Sequence, residues 1–293
     1  MSTAAVQQSK AAAASPRHQQ LLVTVFGLYA REHGGALPVA ALVRLLGDLG
    51  VEGAGVRSAV SRLKKRGVLE SVKLGGAAAY RLGPGLEEVF SEGDERIFSP
   101  HRARPDDPWL LAAFSVPESQ RALRHQIRAS LTRLGFGAVS PGLWIAPVAL
   151  EKEARRRLAR AGAGQYVEFF RARYAEAEHA EDGEGPGMPE RVAEWWDLDA
   201  LEATYVEFVE GQRGVRERWE GVAPSSAADD AAAFADYVSL LTQWRRLPYL
   251  DPGLPAEYLP PTWHGLVAEE LFASLHAKLE GPARRHAERV LAG

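Results

Sequence analysis

Between Ala54 and Arg81 stand seven cations, Arg57, Arg62, Lys64, Lys65, Arg66, Lys73 and Arg81, and one anion, Glu70. The 293-residue chain carries a formal charge of -3, so this stretch holds +6 and the remainder -9. Salt confines electrostatic effects to roughly 8 Å, so a local cationic block can hold phosphates although the chain as a whole is acidic. A solvated helix face would show the same composition, and the spacing separates the two readings. Val56, Val60 and Leu63 recur at i, i+4 and i+7, which leaves Arg57, Ser58, Ser61, Arg62 and Lys65 on the opposite side. A helix of this kind docks by one side and offers the other to base edges and phosphates in a major groove. The small Ser58 and Ser61 between the two arginines allow close backbone approach.

The flanking sequence supplies the elements such a helix needs. A largely buried helix is predicted from Pro16 through Gln20–Tyr29 and stopped by Gly34-Gly35. Pro38 opens a second over Val39–Leu49, with Leu42, Leu45, Leu46 and Leu49 inward. Gly53-Ala54-Gly55 turns the chain into the basic helix, Val56–Arg66, which Gly67 ends. Leu69–Leu74 and Ala77–Leu82, separated by Gly75-Gly76, read as a hairpin. Helix, helix, turn, basic helix, hairpin is the order of a winged helix-turn-helix. It occupies residues 16–98 together with a linker, behind a flexible tail over 1–15. Gly83–Asp107 reads as that linker, with a short helix over Leu86–Phe90.

Beyond it, Trp109–Val116 predicts a buried strand and Ser119–Leu134 an amphipathic helix. Strand segments at 138–139 and 143–145, a charged helix over Leu150–Arg160 and a strand over Tyr166–Phe170 follow. This β-α-β-β-α-β order predicts a ferredoxin-like domain over 99–178. An acidic connection, 174–189, leads to a mostly α-helical C-terminal domain, 190–293, with helices over 195–209, Asp229–Arg246, Leu266–Leu279 and Pro282–Leu291. Between the second and third of these, Trp244–Gly265 sets seven aromatic, Arg and His side chains among five prolines, a stiff and specifically shaped loop. The fold class is therefore α+β and multidomain.

Several classes of chemistry are excluded. Without cysteine there are no disulfides, thiolate zinc sites or cysteine nucleophiles. No stretch of 18 apolar residues or secretory signal is present, which predicts a cytoplasmic protein without membrane contact. H-E-x-x-H, G-x-S-x-G, Walker A and dinucleotide-binding motifs are absent, and the eight histidines include no i, i+4 pair.

Three stretches together resemble the PaaX family of bacterial transcriptional repressors: Val56–Leu69, then Trp109–Val116 with Gly142–Pro147, and most specifically Arg245–Gly265. The resemblance covers nearly all of residues 17–290. It implies a homodimeric repressor of phenylacetate-type aromatic catabolism that binds pseudo-palindromic, double-stranded operator DNA. Release by an aryl-acyl-CoA such as phenylacetyl-CoA is implied as well, with no bound cofactor. The DNA-facing set is then Arg57, Ser58, Ser61, Arg62, Lys64, Lys65, Arg66, Lys73 and Arg81. The tip Gly75–Ala79 lacks the basic residues of a family wing, so Lys73 or Arg81 would have to supply contacts there. Arg245 and Arg246 beside Tyr249, Trp263 and His264 suit a phosphorylated, ring-bearing ligand. Alternatively, the Arg pair binds Asp251 to brace the loop, and His264 is a hydrogen-bonded structural residue. Two other functions stand beside the repressor. One is a metal-dependent nuclease using the ferredoxin-like domain, disfavoured because its first strand ends Phe114-Ser115-Val116 without a carboxylate. The other is a DNA-binding or interaction protein without an effector.

Overall fold

The structure is a computed structural model describing residues 3–175 and 186–293, and it mixes helix and sheet in more than one compact unit. In chain order it begins with α1 (Thr3–Tyr29), β1 (Ala36–Pro38), α2 (Val39–Asp48), α3 (Gly53–Lys65), β2 (Leu69–Leu74), β3 (Ala77–Leu82) and α4 (Leu86–Phe98). Next come β4 (Trp109–Phe114), α5 (Arg121–Arg133), β5 (Gly137–Ser140), β6 (Leu143–Pro147), α6 (Glu151–Arg160) and β7 (Val167–Ala172). The chain ends with α7 (Met188–Trp195), α8 (Leu198–Gly211), α9 (Arg213–Trp219), α10 (Ala227–Trp244), α11 (Leu247–Leu250) and α12 (His264–Ala292).

Two expectations change, and a third lies largely outside the described residues. The segment read as a tail is helical from Thr3 onward, since alanine and glutamine are strong helix formers, and the helix runs on through Pro16. The acidic connection at 174–189 falls largely on 176–185, outside the described residues. The two last helices are one, α12, running through Pro282. Leu279, Ala283 and Ala287 are all fully buried at i, i+4 and i+8, and that continuous buried face outweighs the hydrogen bond proline removes.

The compact units are not consecutive segments. One gathers Met1–Glu95, Glu210–Trp244 and Glu269–Gly293, and the other Arg96–Val209 with Arg245–Ala268. The stretch expected as a C-terminal domain is thus divided between them. In the first unit, β3 lies between β1 and β2 in an antiparallel sheet. α1 packs on both α3 and α10, burying Leu22, Val25 and Phe26 on one side and meeting Phe234 through Tyr29, ring centroids 5.9 Å apart. Each such side chain removed from water contributes about 1.5–3 kcal/mol, more than the surface ion pairs around it. The buried Thr242 hydroxyl donates to Thr24 at 2.8 Å. α2 is fastened to α12, where Arg44 donates to the Val290 carbonyl at 2.7 Å and Asp48 bonds His286 at 2.8 Å.

In the second unit the strands run β5-β6-β4-β7, every neighbour antiparallel. Leu110 and Ala112 of β4 alternate into a core with Ile127 and Leu131 of α5 and Ala154 and Leu158 of α6. On the other sheet face Trp109 meets Trp195, Trp196 and Tyr258 at 6.1–6.4 Å. Trp196 donates to the Gly135 carbonyl at 2.8 Å, and a Cβ at Gly137 would lie 2.7 Å from its indole. The end of the expected linker is not free. The Ala103 N–H donates to Gly253 O at 2.8 Å, and the Tyr258 hydroxyl to Pro105 O at 3.2 Å.

Candidate nucleic-acid interface

α3 begins three residues earlier than its hydrophobic spacing indicates, and Val56, Ala59, Val60 and Leu63 are its buried side. Arg57, Ser58, Ser61, Arg62, Lys64 and Lys65 are all exposed. The helix ends as Gly67 requires. At φ 70° its N–H donates to Lys64 O, and the Val68 N–H donates to Leu63 O, both at 2.9 Å. This double closure needs a left-handed residue that glycine adopts without a Cβ clash. It leaves Lys64, Lys65 and Arg66 at the negative end of the helix dipole.

The hairpin adds to this surface unevenly. Gly75 and Gly76, at φ 57° and 85°, make a two-residue turn that carries no side chains. Lys64 donates to Ser71 Oγ at 2.7 Å and lies 5.8 Å from the Tyr80 ring centroid. Ser71 and Tyr80 are cross-strand partners, as are Lys73 and Ala78, so Lys73 shares the sheet face that Lys64 touches. Arg81 pairs with Glu70 on the opposite face, donating through Nε and Nη2 at 3.2 and 3.0 Å. The structure therefore gathers Lys73 with the cations of α3 and leaves Arg81 apart, neutralised by a carboxylate. Among the described residues, no ion pair involves Arg57, Arg62, Lys64, Lys65, Arg66 or Lys73; Arg66 donates to Gln19 at 3.4 Å.

The second candidate site, 245–265, separates into two parts. Trp263 is buried against Tyr205, ring centroids 5.8 Å apart, and a Cβ at Gly265 would strike its indole nitrogen. The backbone N–H of His264 donates to Glu202 at 3.0 Å, and its ring is hydrogen-bonded to the same carboxylate. These two residues hold the start of α12. Asp251, the partner a bracing Arg pair would need, accepts from Arg102 at 3.1 Å, Tyr205 at 2.8 Å and the Gly253 N–H at 2.7 Å. Arg102 and Tyr205, 149 and 46 residues away in sequence, thus take part in bracing this loop. Arg245, Arg246 and Tyr249 lie on the other part. Burial pushes the Arg245 guanidinium below the usual arginine range, and the neighbouring Arg246 charge acts in the same direction. The Tyr249 phenol is pushed up, first by burial and then by Glu153, so it stays protonated as a donor.

β4 ends at Phe114 and is followed by Ser115 and Val116, so no carboxylate stands at its end. Among the described residues no group of three or more His, Asp or Glu is placed to hold a metal ion, and no helix is long and apolar enough to cross a membrane.

Comparison with known proteins assigns three segments to one family. Residues 17–84 match the PaaX-like protein family, 102–183 the PaaX protein central Cas2-like domain and 196–289 the PaaX-like protein C-terminal domain. The chain is 27% identical over 263 residues to the transcriptional repressor PaaX of Escherichia coli (strain K12), covering 88% of this chain and 79% of that protein. It also shares a fold with the uncharacterized protein Rv0674 from Mycobacterium tuberculosis at a TM-score of 0.51 and 21% identity, over 89% of this chain and 97% of that one.

Proposed function

The chain belongs to the PaaX family of transcriptional repressors, and from that membership we propose that it represses a phenylacetate-type operon as a homodimer released by an aryl-acyl-CoA. In this reading residues 16–98 act as a winged helix-turn-helix, and the sheet with α5 and α6 is a ferredoxin-like domain. The observation that carries the proposal is α3, with one side packed in the core and the other lined by exposed cations free of carboxylates. Two such helices, about 34–36 Å apart in a two-fold dimer, would enter successive major grooves. Arg57, Ser61 and Arg62 would meet base edges. Lys64, Lys65, Arg66 and Lys73 would meet phosphates, which fix register without reading sequence.

Release requires the effector to bind the state that does not hold DNA better than the state that does, because equal affinity for both shifts nothing. Arg245, Arg246 and Tyr249 are the residues of 245–265 that suit it. The reading is of a regulator and not an enzyme. It is tested by operator binding of Arg57→Ala and Arg62→Ala. Loss of a base-reading arginine costs about 1–3 kcal/mol and relaxes one position of the site. Unchanged affinity in both variants would remove α3 from the interface. Cleavage of DNA in Mg²⁺ or Mn²⁺, abolished by chelator, would instead support the nuclease.

A further inference from the structure

We infer that Arg44 and Asp48, through their bonds to the last turns of α12, are positioning residues that set the angle at which α3 meets DNA. This role rests on the reading of α3 as the DNA-facing helix and adds to it what holds that helix in place.

α2 and α3 are joined by residues 49–52, and the join is closed by backbone bonds. The Gly50 N–H donates to Gly47 O and the Val51 N–H to Leu46 O, both at 2.9 Å, and Val51 is buried. Leu42, Leu45 and Leu46 are buried along α2, which packs on α3, so a tilt of α2 is passed to the helix that follows it. The outer side of α2 carries Arg44 and Asp48, both exposed and one helical turn apart. Opposite charges at this spacing can pair along their own helix. Here each turns to α12 instead, 246 and 238 residues away. Arg44 Nη2 donates to Val290 O at 2.7 Å, and His286 Nε2 donates to the Asp48 carboxylate at 2.8 Å.

Each bond completes a helix end. Val290 O is among the last carbonyls of α12, which ends at Ala292 and offers them no N–H farther along the helix. The Arg44 guanidinium supplies the donor and places a positive charge at the negative end of the dipole. Asp48 is the last residue of α2, where a carboxylate opposes the dipole, and the His286 bond offsets this. α12 is itself fixed. Its Arg285 and Arg289 donate to the buried Asp230 of α10 at 2.6 and 2.8 Å, and the His286 ring lies 5.2 Å from that of Phe234. α10 also packs on α1, which packs on α3. α3 is thus held on one base from two sides, through α1 and by way of α2 and α12. Attraction to phosphates acts over roughly 8 Å and tolerates a small tilt, whereas hydrogen bonds to base edges weaken steeply as their angles fall. Loosening α2 therefore costs sequence discrimination before it costs charge attraction.

The test uses the full chain and two duplexes, one selected from a random-sequence pool on the wild-type protein and one shuffled at equal length and composition. Fluorescence anisotropy gives the ratio of the two affinities, which a smaller folded fraction leaves unchanged because it scales both. Arg44→Met keeps the stem and removes the donor, and Asp48→Ala removes the acceptor. Each should lower the ratio about tenfold, within the worth of one base contact, and leave the slope of log affinity against log salt unchanged. Arg44→Lys, which keeps a donor, should restore the ratio. An unchanged ratio in both variants, or an equal loss on both duplexes, overturns the positioning role. A slope lowered by about 1.8 in Arg44→Met would make Arg44 a phosphate contact and overturn it as well. If the pool enriches no sequence, or neither Arg57→Ala nor Arg62→Ala weakens binding of the selected duplex, the reading of α3 itself fails. If those variants weaken it and the two α2 variants leave the ratio intact, the positioning role alone fails.

Discussion

Lys65→Gln and Arg81→Gln remove the same charge from neighbouring elements, yet their consequences for DNA binding should differ. Lys65 is exposed at the end of α3 and in no ion pair among the described residues, whereas Arg81 is held by Glu70 on the far face of the hairpin. Each phosphate neutralised by a cation contributes about 0.9 to the slope of log affinity against log salt concentration. In a two-fold dimer Lys65→Gln removes two contacts, so the slope should fall by about 1.8. Between about 50 and 200 mM salt that is roughly one decade less loss of affinity, well within the resolution of fluorescence anisotropy. Arg81→Gln breaks an internal pair and should leave the slope unchanged, with at most about 1 kcal/mol lost from folding. Equal slopes for wild type and Lys65→Gln, or an equal reduction in both variants, would refute the assignment of the cationic face.

Three further outcomes test the framework behind that face. Gly83→Ala would place a Cβ 2.1 Å from the Gly67 carbonyl oxygen, and urea denaturation should show a loss of about 1–3 kcal/mol or more. Asp251→Asn removes the charge that pairs the mostly buried Arg102; stability should fall by about 3–5 kcal/mol, with DNA binding by the folded fraction retained. Asp230 is held below the usual carboxylate range, first by hydrogen bonding from Arg285 and then by Arg289. A depressed folded-state value stabilises above the unfolded value of about 3.9 and is lost as pH falls through the folded one. Wild type should therefore melt higher than Asp230→Asn near neutrality, with the difference closing below about pH 4. A difference that persists in acid would assign the effect of Asn to packing.

What could be read in the amino acids was local. The α3 face and the β2–β3 hairpin depend on residues at most 13 apart and on Gly67, Gly75 and Gly76, whose backbone angles no distant contact needs to explain. Both strands of the hairpin lie where alternation and the Gly-Gly pair predict them. β1 was invisible because three residues show no period, and its pairing with β3 alone makes it a strand. In sequence Pro282 reads as a helix boundary, because the burial of Leu279, Ala283 and Ala287 on one face is set by tertiary packing. The core beside α1 is completed by α10, a long-range contact that no local pattern encodes. Within 245–265, the fold brings Arg102 and Tyr205 to Asp251 from 149 and 46 residues away, contacts that no local spacing shows.

The bare Gly75-Gly76 turn has a consequence for the operator. A hairpin tip with no side chains has nothing with which to sense groove width or tell A·T from G·C beyond the core half-site. In the proposed dimeric repressor, discrimination would then rest on one short helix per subunit, with the information in each half-site compressed into a few consecutive base pairs and flanking composition neutral. Regulatory sequences drifting around such a core would stay under control, and a long-range cationic substitution at Ala78 would be the simplest route to a more demanding recognition element.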